Sequence, residues 1–536
     1  MSGPSQAFAA YDAFASHDAS ADAGYPEHVT VEPWWNSAVQ RPILAANSAA
    51  GTVELTSLVW GAVANSPQVQ ALQTEPEIRR TEVDAARAAF DPASFVESVF
   101  DDTNNPVGNL LTTGGAPQLK ERGLQTTAGV RGLNRFGGRT ELAQEAGLRD
   151  NNSQFFSPRE QADMRMVLRY THPLARGGGR FYNGATIAVA SVAVEASAAD
   201  SLAAIQDHVF GVYQTYWLLH YHRAALLQNQ RALTRLEKTA ETIASRAAIE
   251  GTASQASRAA AAVGNQRAKV QRSIADLAAT QAQLRTLAGA GVADAAELLP
   301  ITPPADRRVA PDIPGDLAAA LACRQEVVSL HAEIRRTQLL LRVAENELRP
   351  TLNLVTESYV RGLDGGYNAL NALGDQFSAG RPSYSAGITF LRPQHNSAAR
   401  SIMRQRNLEM RQLLLQLDQQ LLSVSEEIHA AAANLNATYA EYQSAITSSL
   451  ATDQELQHLI VRWQSNPYIE NNNPAVLLDE ILDAESRLIQ AENAWAYAQA
   501  NYMIAIARSA RVAGRLLTAD EIAPADAAGC DLLPGR

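Results

Sequence analysis

The feature that most constrains this chain is a strand-and-turn unit that occurs twice, at residues 164–180 and 384–400. Pro173 and Pro393 occupy equivalent places in the two copies, so the offset between them is 220 residues (393 − 173). Side chains of a strand point alternately to opposite faces, and an even offset therefore keeps corresponding residues on the same face. The duplication predicts one large body made of two similar halves.

Both copies alternate between apolar and polar residues. The polar face carries Arg165, Arg169 and Thr171 in the first copy, and Ser385 and Thr389 in the second. An apolar face opposite a wet face is typical of strands in a membrane-embedded barrel. The residues expected to face lipid are Met164, Met166, Leu168, Tyr170, Tyr384, Ala386, Ile388 and Phe390.

Four segments have about the 9–11 residues of a tilted spanning strand. They lie near residues 93–101, 163–171, 351–360 and 383–391. Between the first two, residues 124–132 and 139–148 form a possible hairpin that turns at Gly137 and Gly138.

Long helical segments follow the strands. Residues 184–289 contain no proline and are predicted to form a helical hairpin that reverses near Gly251. The second half repeats this plan, with its reversal between Asn466 and Pro474. The predicted organisation is a weakly ordered leader at 1–52, a first repeat at 53–300, a Pro-rich connector at 301–315, a second repeat at 316–517 and a C-terminal tail at 518–536.

Composition excludes several classes of function. The formal net charge is −11 at pH 7 and no basic patch stands out, which argues against nucleic acid as a partner. No catalytic constellation or metal-binding spacing is evident, so we expect neither an enzyme nor a cofactor. We interpret His208, His220 and His222 as helix-surface or interface residues, and Cys323 and Cys530 as two unpaired thiols.

Crossing a membrane places a further limit on this chain. No apolar run approaches the roughly 20 residues that a transmembrane helix needs. The other way to pair every backbone polar group in lipid is a closed barrel. Residues 1–25 lack the basic and apolar regions of a secretory signal, so the sequence leaves the route of export open.

The order helix, strand, strand and long helical hairpin, repeated in tandem, resembles the TolC-like outer membrane efflux proteins. The motif Leu482-Asp483-Ala484 is similar to the start of the family's last return helix. The motif His172-Pro173-Leu174 is similar to the Gln-Pro-Leu turn that leaves the barrel, with His172 in place of the glutamine. The resemblance covers roughly residues 53–517.

The resemblance implies a mainly α fold with a small β part. Tandem-repeat helical hairpins would join four transmembrane β-strands per protomer, and three protomers would form a 12-stranded β-barrel on a periplasmic α-barrel. It implies a passive channel in the cell outer membrane with a periplasmic extension, the exit duct of a tripartite efflux pump or type I secretion system. The implied partners are the other subunits of a homotrimer, a periplasmic adaptor protein, an inner membrane pump or ABC transporter, and outer membrane lipid.

Three acidic residues near the start of the last helix are the candidate pore aperture: Asp479, Glu480 and Asp483. Glu480 and Asp483 are three residues apart, which places them on one helix face. The resemblance implies an acidic ring at this place, which would favour cations. The alternative is a solvated first helical turn, where the helix dipole favours acidic residues.

The two hairpin tips are, by the same resemblance, the candidate adaptor-contacting sites. The alternative is a plain helix-reversal loop, which needs glycine, asparagine and proline in any case. The tip residues are Gly251, Thr252, Ala253, Ser254, Asn466, Pro467, Pro474, Val476 and Leu477.

A function of a different class stays open, that of a periplasmic or peripheral coiled-coil scaffold or adaptor protein. Such a scaffold has no need for the apolar strand faces that the two copies share. The glycines at 177–179 lack the Lys-Ser/Thr of a phosphate-binding loop, and we interpret them as a structural turn.

Overall fold

A computed structural model describes residues 31–44, 50–250, 253–289, 297–378, 381–465 and 474–517. The predicted C-terminal tail and most of the predicted leader lie outside these residues. In the described part the chain is mainly helical, with one large and one small β-sheet.

The first half contains three helices, one short strand, four long strands and the first long helical hairpin. Its elements are α1 (Asn36–Val39), β1 (Ala50–Val53), α2 (Leu55–Asn65), α3 (Pro67–Arg87), β2 (Ala93–Pro106), β3 (Gln118–Leu133), β4 (Arg139–Asn151), β5 (Glu160–Pro173), α4 (Arg180–Glu250) and α5 (Ala253–Ala288). Near the predicted reversal, α4 ends at Glu250 and α5 begins at Ala253, while Gly251 lies outside the described residues.

The second half repeats this order with fewer strands. Its elements are β6 (Glu297–Pro300), α6 (Ile313–Cys323), α7 (Gln325–Glu347), β7 (Thr351–Gly365), α8 (Ala369–Ser378), β8 (Ser383–Leu391), α9 (Ser397–Ser465) and α10 (Pro474–Val512).

The chain divides into two compact units, and each unit combines segments from both sequence repeats. One unit comprises the described parts of Met1–Gln73, Ser201–Gln325 and Gln420–Arg536. The other comprises Thr74–Asp200 and Glu326–Gln419, and it holds the large sheet.

The first unit is built from long helices with a thin apolar core. Tyr216, Leu219 and Leu226 of α4 are buried against Leu277 and Leu284 of α5, in the three-and-four spacing of amphipathic helices. Burying each such side chain is worth about 1.5–3 kcal/mol. The helix α5 ends at a glycine with φ +79°, a conformation that commonly terminates helices.

Part of the predicted leader is ordered, so the expectation of weak order is wrong for residues 31–44. Trp35 is fully buried and its ring packs edge-on against Trp495, with the centroids 4.9 Å apart. The strand β1 pairs in parallel with β6, which joins residues about 250 positions apart. The sequence does not predict this pairing, because both strands are short and lack alternation.

The second unit contains a six-stranded antiparallel sheet in the order β2-β3-β4-β5-β7-β8. All four predicted strands are present; three are longer than expected and β8 has the predicted bounds. The possible hairpin is present as β3 and β4. The sheet therefore contains two strands more than the four that the sequence predicts, and the number that crosses the membrane stays a prediction. Glycines at 123, 129, 132 and 147 interrupt the alternation of the hairpin and weaken its sequence signal.

Two further expectations are corrected. Residues Arg180–Ser245 of α4 are apolar and long enough to cross a membrane by composition, with a mean hydropathy of 1.4 in one 18-residue window. This is weak evidence for a span, because a packed helix rich in alanine passes the same test. Cys323 is disulfide-bonded and so is no free thiol, while Cys530 lies outside the described residues.

Candidate pore-lining and interface sites

Strand register sorts the sheet into two faces by residue number. Phe100 lies opposite Leu124, Leu124 opposite Leu148, and Leu168 opposite Leu142. In the pairings of β5 with β7 and of β7 with β8, each even-numbered residue also lies opposite an even-numbered residue. All even-numbered strand residues therefore share one face, the even face, and the others form the odd face. The predicted common face of the two copies is confirmed.

The even face is free of Asp, Glu, Lys and Arg over most of its height. Its charged residues occur only at the end of the sheet where β2 joins β3, β4 joins β5 and β7 joins β8. They are Asp102, Lys120, Arg122, Asp150, Glu160 and Asp364. The uncharged stretch of β4 extends from Thr140 to Leu148, about the length that a tilted strand needs to cross a bilayer.

The odd face carries a network of ion pairs across three strands, β4, β5 and β7. Arg169 contacts Glu141 at 2.7 Å, Glu145 at 2.6 Å and Glu357 at 3.2 Å. Arg165 also pairs with Glu357, and its guanidinium lies 4.1 Å from the ring centroid of Tyr359. Such charges are costly against lipid and suit a wet lumen.

The eight predicted lipid-facing residues all lie on the even face, and most of them are exposed. The prediction is wrong for Met164, which does not face outward. Its side chain is only 8% exposed, because Ala372 of α8 packs over it. Tyr170 is half-buried, and its hydroxyl lies 3.2 Å from Nδ1 of His172. The outer side of α8 is itself apolar and exposed, with Leu370, Leu373 and Phe377.

The three predicted aperture residues differ in their surroundings. Asp479 forms an ion pair with Arg258 of α5, with 2.6 Å between Oδ2 and Nη1. Glu480 and Asp483 are exposed on one side of α10, as their spacing predicts. Within the described residues neither has an ion-pair partner, so both carboxylates face solvent in the single chain.

The predicted tip residues are only partly described. Gly251, Thr252, Asn466 and Pro467 lie outside the described residues, and Pro474 is the first residue of α10. Ala253, Ser254 and Val476 are exposed. Leu477 is buried with Leu456, Ile481, Ala484 and Leu488, because it is on the inner side of the helix turn. Leu477 is therefore removed from the candidate contact surface.

Two buried glutamates of α10 escape a sequence-based search because they resemble ordinary helix-surface acids. Glu485 is 2% exposed and pairs with Arg235 of α4 at 2.9 Å. Trp34 donates its indole N–H to Glu492 at 2.8 Å. Burial raises the pKa of both carboxyls, and Arg235 opposes that shift at Glu485. The partners lie more than 200 residues away, which no local pattern reveals.

A buried ion pair holds the ordered part of the leader. Arg223 and Glu297 are both inaccessible to solvent, with 2.7 Å between Nη1 and Oε1. Arg223 also donates to the carbonyl oxygens of Val39 and Arg41, and Glu297 accepts from the backbone N–H of Ile43. An arginine within the apolar run of α4 is the signal that could have identified this site.

No group of three or more His, Cys, Asp or Glu side chains is arranged to hold a metal ion in the described part of the chain. The buried His208 donates from Nε2 to the carbonyl oxygen of Leu287 at 2.9 Å, and its Nδ1 lies 3.2 Å from Oε1 of Gln68, so it belongs to helix packing.

No protein-family model matches this sequence, and neither does any curated protein. Solved structures do match. The outer membrane protein VceC from Vibrio cholerae is 15% identical with a TM-score of 0.62, covering 86% of this chain and 96% of its own. The CmeC outer membrane channel of Campylobacter jejuni is 12% identical with a TM-score of 0.61, covering 92% and 94%. The outer-membrane channel OprN is 16% identical with a TM-score of 0.61, covering 86% and 89%.

These likenesses extend over most of each chain, so they concern the whole architecture and no single motif. Identities of 12–16% establish the fold alone. The predicted resemblance is confirmed at that level: the chain has the TolC-like fold of outer membrane efflux channels.

Proposed function

We propose that this protein is a passive channel of the cell outer membrane, the exit duct of a tripartite efflux pump or a type I secretion system. The observation that carries the proposal is the two-faced sheet. Its even face is uncharged over the height of a bilayer, and its odd face carries the ion pairs of Arg165 and Arg169. This distribution suits lipid on one side and water on the other.

The open sheet supports assembly as a homotrimer. Within the described residues β2 and β8 are edge strands, and an unpaired edge is untenable in hydrocarbon. Neighbouring copies would supply the missing partners. The long helices α4, α5, α9 and α10 would then form a periplasmic extension.

The channel would work with a periplasmic adaptor and an inner membrane pump or ABC transporter, which supplies the energy. The exposed tip residues Ala253, Ser254 and Val476 support the adaptor contact. Glu480 and Asp483, tripled by symmetry, would give a negative constriction that favours cations. The protein itself would catalyse no reaction.

The scaffold alternative is disfavoured by one observation. A periplasmic scaffold would expose Tyr384, Ile388 and Phe390 to water, and each is at least 65% exposed in the isolated chain. Apolar patches of this kind mark a surface that is covered by lipid or by another protein.

Reconstitution tests the proposal directly. Detergent-extracted protein should be trimeric and should give discrete conductance steps in planar bilayers, because a closed barrel leaves a continuous aqueous path. The matched control is Ile388→Arg, which places a charge on the even face and should lower the yield of inserted trimer. A wholly soluble, monomeric wild-type protein would contradict the channel and favour the scaffold.

A further inference from the structure

The hairpin formed by β3 and β4 is an integral part of the sheet. The strand β3 pairs with β2 from Gln118 to Arg131 and with β4 from Glu121 to Leu133. The strand β4 pairs with β5 from Arg139 to Asp150. The hairpin therefore separates β2 from β5 along their whole length, which a loop folded over the sheet would not do.

The hairpin has the same two faces as the strands around it. Its even face carries Leu124, Val130, Leu142 and Leu148, with no charge between them. Its odd face supplies Glu141 and Glu145 to the ion pairs with β5. Both strands thus meet the demands of a strand between lipid and lumen.

An even number of strands decides how copies can join. Adjacent strands of the sheet are all antiparallel, so β2 and β8 run in opposite directions. When β8 of one copy pairs with β2 of the next, the ladder stays antiparallel around the whole ring. Copies with six strands can therefore close a fully antiparallel barrel, as copies with four strands would.

We propose that the hairpin spans the outer membrane and that the assembled channel has an 18-stranded barrel, six strands from each of three copies. The inference rests on the proposed trimeric channel. Barrel diameter grows roughly in proportion to strand number, so this barrel is about 1.5-fold wider than one with four strands per copy. Barrels of about 16–18 strands enclose an aqueous channel, which suits the charged odd face.

The first test asks whether the hairpin contacts lipid. A thiol-reactive fluorophore is placed by Leu124→Cys or Leu142→Cys in a background of Cys323→Ser and Cys530→Ser. Vesicles then contain brominated phospholipid, which quenches only probes that touch acyl chains. We expect quenching at both positions, at least threefold stronger than at the odd-face control Gln125→Cys.

A Leu168→Cys probe on β5 separates failure of this inference from failure of the proposed function. Quenching at Leu168 but at neither hairpin position would place the hairpin outside the membrane and overturn the inference alone. A lack of quenching at Leu168 as well would overturn the membrane channel itself.

The second test measures the separation of β2 from β5. The pair Val99→Cys and Gln125→Cys lies directly across β2 and β3 and should form a disulfide within one subunit. The pair Val99→Cys and Asp163→Cys should not, because three strand spacings separate them by about 14 Å. The reverse result would mean that β2 pairs with β5 and the barrel has twelve strands.

Electron cryomicroscopy of the channel in lipid nanodiscs counts the strands directly. Eighteen strands around the barrel are expected, and twelve would overturn the proposal.

Discussion

The two strand-and-turn units share a phase but differ in chemistry, and the difference follows from what each turn contacts. The first turn packs against the turn of the β3–β4 hairpin. The backbone N–H of Gly179 donates to the carbonyl oxygen of Phe136 at 3.1 Å. A Cβ at Gly137 would lie 2.6 Å from the carbonyl oxygen of Gly177, which real structures essentially never show. Glycine is required at this contact.

The second turn lacks the glycines and enters its helix directly. Its left-handed residue is Asn396, with φ +42°, a conformation that asparagine tolerates. The Asn396 amide donates to the carbonyl oxygen of Leu348 at 3.3 Å. Both copies keep the alternation of faces, and contact with the β3–β4 hairpin accounts for the glycines of the first turn.

The largest effect is expected from charges placed on the even face. These variants test whether both strand-and-turn units turn the same face toward lipid. Leu168→Arg and Ile388→Arg should each lower the free energy of unfolding in bilayers by about 2–4 kcal/mol, because both place a charge near the bilayer midplane. Urea unfolding in lipid vesicles measures this change. Thr389→Arg, on the odd face of β8, is the control, and an equal loss there would contradict the assignment of faces.

Acid should destabilise α4 more than α9, the longest helices of the two halves. Burial, together with nearby Arg223, lowers the pKa of His220 on α4 to about 4, whereas His429 and His458 on α9 are exposed. An unfolded histidine titrates near 6.5. The contribution of neutral His220 to the free energy of unfolding is therefore complete above about pH 6.5. It is lost progressively as the pH falls from 6.5 to 4, on the order of 3 kcal/mol in total.

Hydrogen exchange at pH 7 and pH 5 checks this prediction. Peptides around His220 should lose protection at pH 5, and His220→Phe should remove that loss. His458→Gln should leave it unchanged. Equal loss in the two variants would show that another group controls the acid response.

The contact between the two turns predicts a smaller change. Gly137→Ala should destabilise the protein by about 1–3 kcal/mol, because the position has φ +92° and the added Cβ meets backbone. Gly184→Ala in α4 has open space around its Cβ and should be neutral or slightly stabilising. Thermal unfolding compares the two, and a neutral Gly137→Ala would break the proposed link between the turns.

The smallest expected effect is on ion selectivity. The tip of the second helical hairpin carries the acidic pair Glu480 and Asp483, which has no counterpart in the first hairpin. Glu480→Gln with Asp483→Asn should move the reversal potential in a salt gradient toward zero, because the channel loses negative charge at its aperture. Asp479→Asn should change it less, since Arg258 already neutralises that carboxylate. An unchanged potential in the double variant would place the aperture elsewhere.

Local patterns explain which parts could be predicted from sequence. The faces of β5 and β8 follow from alternation alone, and the helix reversal near Gly251 follows from residue preference. The position of the hairpin in the sheet depends on partners that no local pattern specifies. The burial of Met164 depends on α8, about 200 residues away, and the site of Arg223 depends on Glu297 and the leader.

The hairpin also bears on how such a protein can change size. Adding two strands leaves the direction of the chain, the parity of every later residue and the entry points of the long helices as they were. A single added strand would reverse the direction of every later strand and send the next helix to the wrong side of the membrane. In the proposed channel, barrel width can therefore change in steps of one hairpin while the helical body keeps its design.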